Sequence, residues 1–76
     1  MSVKIYTKTT CGYCTLAKKF LDSKDIAYEE VSLENPEILN EFKEQYPNVR
    51  TVPQIVVNNE RIGGYQELIK YDLSTI

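Results

Sequence analysis

Two cysteines with two residues between them, Cys11-Gly12-Tyr13-Cys14, stand where one hydrophobic periodicity gives way to another. Ahead of them Val3-Lys4-Ile5-Tyr6-Thr7 alternates apolar and polar positions, the period of a strand. Behind them Leu16, Ala17, Phe20 and Leu21 recur at helical spacing and predict one buried stripe. A strand running into a helix through Cys-x-x-Cys places the first sulfur at the helix N-terminus. Unpaired N–H groups and the positive end of the helix dipole favour a thiolate there over a thiol. Thiolate is the nucleophile of disulfide exchange, and Cys14 lies one turn on, within reach of the product. Cys11 is therefore expected to have a lowered pKa and Cys14 a higher one. Cys11, Cys14 and Lys18 share one helical face, so Lys18 is expected to add a cation beside the sulfurs. These residues point to thiol–disulfide chemistry.

The remaining pattern places this junction in an α/β chain. The first helix starts near Gly12, with Thr9 or Thr10 available as its cap, and ends at Ser23-Lys24-Asp25. Residues Ala27 to Leu33 alternate and read as a second strand, which completes a βαβ unit with a right-handed crossover. Asn35 caps a second helix with Pro36 at its first position; Ile38, Leu39, Phe42 and Tyr46 form its apolar face, and Pro47 ends it. Thr51-Val52-Pro53 leads into the β-branched strand Gln54-Ile55-Val56-Val57. Asn58-Asn59 suits a two-residue hairpin turn, because asparagine tolerates left-handed backbone angles, and Glu60-Arg61-Ile62 is the return strand. Gly63-Gly64 breaks that strand, and Tyr65 to Leu73 reads as a last helix with Leu68, Ile69 and Leu73 inward. The order βαβαββα predicts a four-stranded mixed sheet flanked by helices, in a single domain over residues 1–76.

Several functions are excluded by what the chain lacks. It has 76 residues, a net charge of −2 with both signs interspersed, and no basic block, so no nucleic-acid partner is expected. No apolar run approaches the ~20 residues that cross a bilayer, so no membrane association is expected. The first strand begins almost at once, so no signal peptide is expected, and a reducing, cytoplasmic compartment follows. The chain has no histidine, which removes Ser-His and Cys-His pairs and any His metal ligand within it. Half of a structural zinc site would need an intermolecular partner for its other ligands.

Two further stretches bear on the site. Thr51-Val52-Pro53 forces extended backbone before the third strand and removes one ladder donor. Alone it reads as an ordinary trans proline; a cis bond would leave the Val52 backbone able to pair with an extended substrate. Gly63-Gly64-Tyr65-Gln66 is a strand-to-helix turn that needs glycine. Beside a redox motif it suggests an anion pocket formed by helix N–H groups.

Taken together, Cys11-Gly12-Tyr13-Cys14, Thr51-Val52-Pro53 and Gly63-Gly64 make the sequence resemble a glutaredoxin over essentially its whole length. The resemblance implies the thioredoxin fold, a cis Pro53, and glutathione as reductant with no obligatory metal. It implies that Cys11 attacks disulfides or glutathionylated proteins, and that Cys14 or glutathione resolves the mixed disulfide. By the same resemblance Tyr13 flanks the glutathione, Thr51, Val52 and Pro53 line its site, and the Val52 backbone pairs with its cysteinyl residue. Gly64, Tyr65 and Gln66 take its γ-glutamyl carboxylate, with Lys8 near its glycine carboxylate; Lys18 matches a lysine common in the family. A monomer is expected.

Three positions depart from the family's commonest pattern. Gly12 stands where proline is usual, which loosens the helix start and alters redox poise. Gln66 is uncharged where many relatives carry Asp, and Asn40 is shorter than the Gln or Arg that often reaches the glycine carboxylate. Arg50, a solvated loop charge, is near enough to Thr51 to compensate. Relatives without the proline more often hold an iron–sulfur cluster between two subunits with glutathione as extra ligands. One chain supplies only two of the four ligands such a cluster needs, so this alternative requires a dimer. A second alternative is a redoxin reduced by thioredoxin reductase, against which the Gly63-Gly64-Tyr65 stretch argues.

Overall fold

Alternation in the first residues becomes β1 (Val3–Thr7), with Val3, Ile5 and Thr7 buried on one face and Lys4 and Tyr6 half-buried on the other. The computed structural model describes residues 2–49 and 51–71. Among these, β1 is followed by α1 (Gly12–Ser23), β2 (Glu29–Ser32), α2 (Pro36–Gln45), β3 (Gln54–Val57), β4 (Glu60–Gly63) and α3 (Tyr65–Lys70). This is the expected βαβαββα order. The strands form one mixed sheet in the order β2-β1-β3-β4, parallel between β1 and β2 and antiparallel at the other two pairings. The β3–β4 turn is made by Asn58 and Asn59, both at positive φ (51° and 70°), as their tolerance of that region predicts. The Asn58 N–H donates to the Ser2 carbonyl at 2.7 Å and ties the hairpin to the start of β1.

The main core lies between the sheet and the α1/α3 layer. Val3 and Ile5 from β1, Ile55 and Val57 from β3, Ala17 and Leu21 from α1, and Leu68 from α3 form it. On the opposite face Phe42 of α2 packs its ring 4.7 Å from that of Tyr6 and 5.1 Å from that of Tyr46. Asn35 caps α2 as predicted, its Oδ1 accepting from the N–H groups of Glu37 (2.9 Å) and Ile38 (3.4 Å). Val52–Pro53 is a cis peptide, as the family resemblance implied.

Some expectations need correction. The second strand covers only Glu29–Ser32, because its partner β1 offers Lys4 to Thr7 for pairing; Tyr28, just before it, packs against the core instead. Leu16 is 44% exposed although its spacing suggested burial. The buried residues of α1 are Cys14, Ala17 and Leu21, and one residue before Ala17 is a rotation of about 100° off that stripe. Ile69 is likewise 44% exposed, one residue past the fully buried Leu68. The last helix ends at Lys70 with Tyr71 in extended backbone, short of the expected Leu73, which lies outside the described residues.

This partition is testable by truncation. Leu21→Ala removes a fully buried side chain and is expected to cost about 2–5 kcal/mol. Leu16→Ala, on the same helix, is expected to change stability by about 0.5 kcal/mol or less. Urea unfolding of both variants checks it; equal losses would place Leu16 in the core.

Candidate active site

Helix α1 is capped by neither Thr9 nor Thr10 but by Cys11 itself. Cys11 has extended backbone (φ −141°, ψ 106°), and its Sγ accepts the Cys14 N–H at 3.1 Å. Thr9 turns instead toward Glu34, its N–H donating to Glu34 Oε1 at 2.9 Å. That bond, with Lys8 nearby, holds the Glu34 carboxyl below the usual carboxylate range. A helix N-terminal N–H aimed at sulfur stabilises negative charge on it, which is the geometry the spacing predicted.

Cys11 and Cys14 are joined as a disulfide, their Cα atoms 5.2 Å apart. Cys11 is half-buried whereas Cys14 is only 2% exposed. An incoming sulfur therefore meets Cys11 first. No atom lies within 4 Å of where a Cβ on Gly12 would stand, so space does not require glycine between the cysteines.

Beside Cys11 opens a cleft of about 280 Å³, lined by Tyr13, Thr51, Val52, Pro53, Gly64, Tyr65, Gln66 and Glu67. The Tyr13 and Tyr65 rings, 5.8 Å apart, make one wall, and Tyr13 is 57% exposed. The Val52 carbonyl oxygen lies 3.6 Å from Cys11 Sγ, so the proline loop abuts that sulfur. Two glycines shape the turn at the facing wall. Gly63 has φ +123°, and a Cβ there would stand 2.7 Å from Glu67 Cγ; a Cβ on Gly64 would stand 3.3 Å from the Pro53 carbonyl oxygen.

All the residues assigned to glutathione from sequence line this cleft except Lys8. Lys8 lines a smaller hollow behind Thr51 and Val52, and also a polar opening with Thr7, Thr9, Lys18, Glu30 and Ser32. Asn40 is absent from the cleft lining, and Arg50 lies outside the described residues. Two expectations change. The Gly64 N–H is already engaged by Glu67 Oε1 at 2.7 Å, so it is not an open donor. Glu67 is a cleft residue that the sequence analysis missed, although Gly64-x-x-Glu67 has the spacing of a helix-start residue and its reciprocal carboxylate.

Lys18 also differs from its expected role. Its Nζ lies 3.0 Å from Glu30 Oε2, and the buried Thr7 hydroxyl donates to the same oxygen at 2.8 Å. The Lys18 charge is thus paired across to β2. The Lys18 and Thr7 hydrogen bonds, in that order, hold the Glu30 carboxyl below the usual carboxylate range. Glu30 is therefore an anchored group and not a plain solvated charge.

A glutaredoxin family model matches residues 3–62. The chain belongs to the glutaredoxin family. It is 41% identical over 76 residues to glutaredoxin 1 of Rickettsia bellii, a match covering 95% of this chain and 76% of that protein. Among solved structures it is similar to glutaredoxin 1 of Francisella tularensis complexed with cacodylate, at 33% identity and a TM-score of 0.76, covering 91% and 88% of the two chains. It is also similar to a buckwheat glutaredoxin–glutathione complex, at 27% identity and a TM-score of 0.76, covering 90% of this chain and 64% of that one. As a glutaredoxin the chain has the thioredoxin fold and is a thiol–disulfide oxidoreductase.

The Glu30 anchor has a pH signature. Its folded pKa is depressed, so its contribution is complete above the usual Glu value and is lost as pH falls through the lower folded value. With the Glu30 side chain 43% exposed, solvent screening limits the contribution to about 1 kcal/mol or less. Urea midpoints of wild type are expected to converge on those of Glu30→Gln as pH is lowered from neutral into the acid range. A gap that persists unchanged at acid pH would show that Glu30 is not the linked group.

Proposed function

We propose that this chain is a glutathione-dependent oxidoreductase that reduces protein disulfides and glutathione mixed disulfides, with Cys11 as nucleophile and Cys14 as resolving residue. The observation that carries this reading is the asymmetry of the two sulfurs. Cys11 is accessible, sits at the helix N-terminus with the Cys14 N–H on its sulfur, and adjoins the cleft; Cys14 is buried behind it.

In the reduced state the Cys11 thiolate attacks the glutathione sulfur of a mixed disulfide. A Cys11–glutathione disulfide forms, and the substrate sulfur leaves as a thiolate that takes a proton from water. External glutathione then attacks the glutathione sulfur, yielding oxidised glutathione and restoring the Cys11 thiolate. For a protein disulfide, Cys11 forms a mixed disulfide with one substrate sulfur. Cys14, deprotonated as it attacks, then displaces that sulfur and closes the Cys11–Cys14 bond. Two glutathione molecules return the pair to the dithiol. Each step exchanges one S–S bond for another, so a thiolate with low basicity is both a populated nucleophile and a good leaving group.

The cleft suits an extended tripeptide. In this reading Val52 pairs with the cysteinyl backbone, Tyr13 covers it, and Thr51 and Pro53 form the floor. Tyr65 and Gln66, with Gly64 as the close-approach point, face the γ-glutamyl end, and Lys8 attracts the glycine carboxylate. The buckwheat relative's structure with glutathione supports this ligand class. A monomer in a reducing, cytoplasmic compartment matches the chemistry.

The test is reduction of a glutathione mixed disulfide coupled to glutathione reductase. Cys11→Ser is expected to abolish turnover. Cys14→Ser is expected to keep reduction of the mixed disulfide and to lose dithiol reduction of a protein disulfide. Equal loss of both activities in Cys14→Ser would contradict the assigned roles. A separate check is alkylation of the reduced protein at mildly acidic pH, where Cys11 is expected to react before Cys14.

A further inference from the structure

Gln54 is the first residue of β3 and is only 4% exposed, a polar side chain placed among apolar neighbours. It stands opposite Tyr6 in the β1–β3 register, hence on the α2 face of the sheet. Both ends of its amide are used. Nε2 donates to the Thr51 carbonyl at 2.9 Å and to Thr51 Oγ1 at 3.2 Å, and Oε1 accepts from Arg61 Nη1 at 3.1 Å. The Arg61 guanidinium in turn lies over the Tyr46 ring at the end of α2, 5.7 Å from its centroid. A chain of contacts therefore runs from Tyr46 through Arg61 and Gln54 to Thr51, which lines the cleft.

Arg61 has donors only, and the Thr51 carbonyl is an acceptor only. A Gln54 amide turned the other way would set its NH₂ against the guanidinium and its oxygen against the carbonyl. Arg61 thus decides which end of the Gln54 amide faces Thr51. The Thr51–Val52 peptide is trans, and a planar trans peptide points its C=O and N–H in opposite directions. Drawing the Thr51 carbonyl towards Gln54 aims the Val52 N–H directly away from Gln54. That N–H has no acceptor among the described residues, and Val52 is the residue whose carbonyl abuts Cys11 Sγ.

We infer that Arg61 and Gln54 are positioning residues that set the plane of the Thr51–Val52 peptide and so aim the Val52 N–H at the backbone of the bound thiol substrate. This rests on the cleft reading above, in which that N–H pairs with the cysteinyl carbonyl of glutathione.

Gln54→Glu tests it with little change of shape. The carboxylate still accepts from Arg61 but has no N–H for the Thr51 carbonyl. With a glutathione mixed disulfide as substrate, Gln54→Glu is expected to raise KM about tenfold, the scale of one hydrogen bond to the ligand, with kcat within about twofold of wild type. Arg61→Met, which frees the amide to turn, is expected to raise KM by about threefold. Arg61→Lys, still able to donate to Oε1, is expected to restore most of the loss. A wild-type KM in folded Gln54→Glu, or a loss confined to kcat, overturns the assignment.

A ligand-free measurement separates this from the glutathione reading. In the oxidised, ¹⁵N-labelled protein the residual dipolar coupling of the Val52 N–H is expected to differ between wild type and Gln54→Glu, while couplings along β1 and β3 agree. An unchanged Val52 coupling overturns the inference whatever the enzyme reduces; should Gln54→Glu fail to fold, the same comparison is read on Arg61→Met. A changed coupling in a protein that does not turn over glutathione mixed disulfides upholds the positioning role and rejects glutathione as the ligand.

Discussion

Helix α1 begins on a cysteine, and one of its first N–H groups is satisfied by sulfur. In this chain the cap of α1 and the proposed nucleophile are one atom, since Cys11 Sγ takes the Cys14 N–H. An oxygen cap such as Thr9 would stabilise the helix equally well and leave the cysteine chemically ordinary. Because sulfur does the capping, the helix start is strongest when Cys11 carries charge and weakest when it is bonded or protonated. The helix terminus and the leaving-group quality of the sulfur are thereby a single energetic quantity.

The rest of the fold brings other chain segments to that terminus. Since β2 is parallel to β1, β3 antiparallel to it, and β4 antiparallel to β3, the C-terminal ends of β1 and β4 and the N-terminal end of β3 lie on one edge. The β1–α1, α2–β3 and β4–α3 connections therefore converge, and their residues make the cleft. The Tyr13 and Tyr65 rings make one of its walls, and the backbone comes close at Gly64 and Pro53. Gln54 and Arg61 behind the cleft, and Glu67 within its lining, govern how that backbone presents its donors.

Much of this was legible in the chain because periodicity, turn chemistry and motif spacing are local. The order of the elements, the Asn58-Asn59 hairpin, the Asn35 cap and the three motifs themselves all follow from residues near one another in sequence. What sequence reading missed depends on partners far apart. Lys18 and Glu30 meet because β2 lies parallel to β1, a register that periodicity does not carry. Gln54 looked like a polar residue opening a β-branched strand, and only tertiary packing shows that both ends of its amide are held. Leu16 and Ile69 were assigned inward since an apolar run one residue wider than the buried stripe has the same local signature. The identity of the α1 cap was missed for a different reason: threonine is the commoner cap, but the helix starts at Gly12, so Cys11 holds the cap position and its sulfur takes the Cys14 N–H.

The burial of Cys14 also has a protective side. Peroxides and other oxidants would meet the more accessible Cys11 sulfur first, and a sulfenic acid there would advance irreversibly if left alone. A second thiol held one helical turn away and shielded from bulk solvent condenses with that sulfenic acid and expels water. The product is the same Cys11–Cys14 bond that the structure holds and that the proposed turnover would create. Under the proposed mechanism, oxidative injury would thereby be routed into a state that the same reductant recovers.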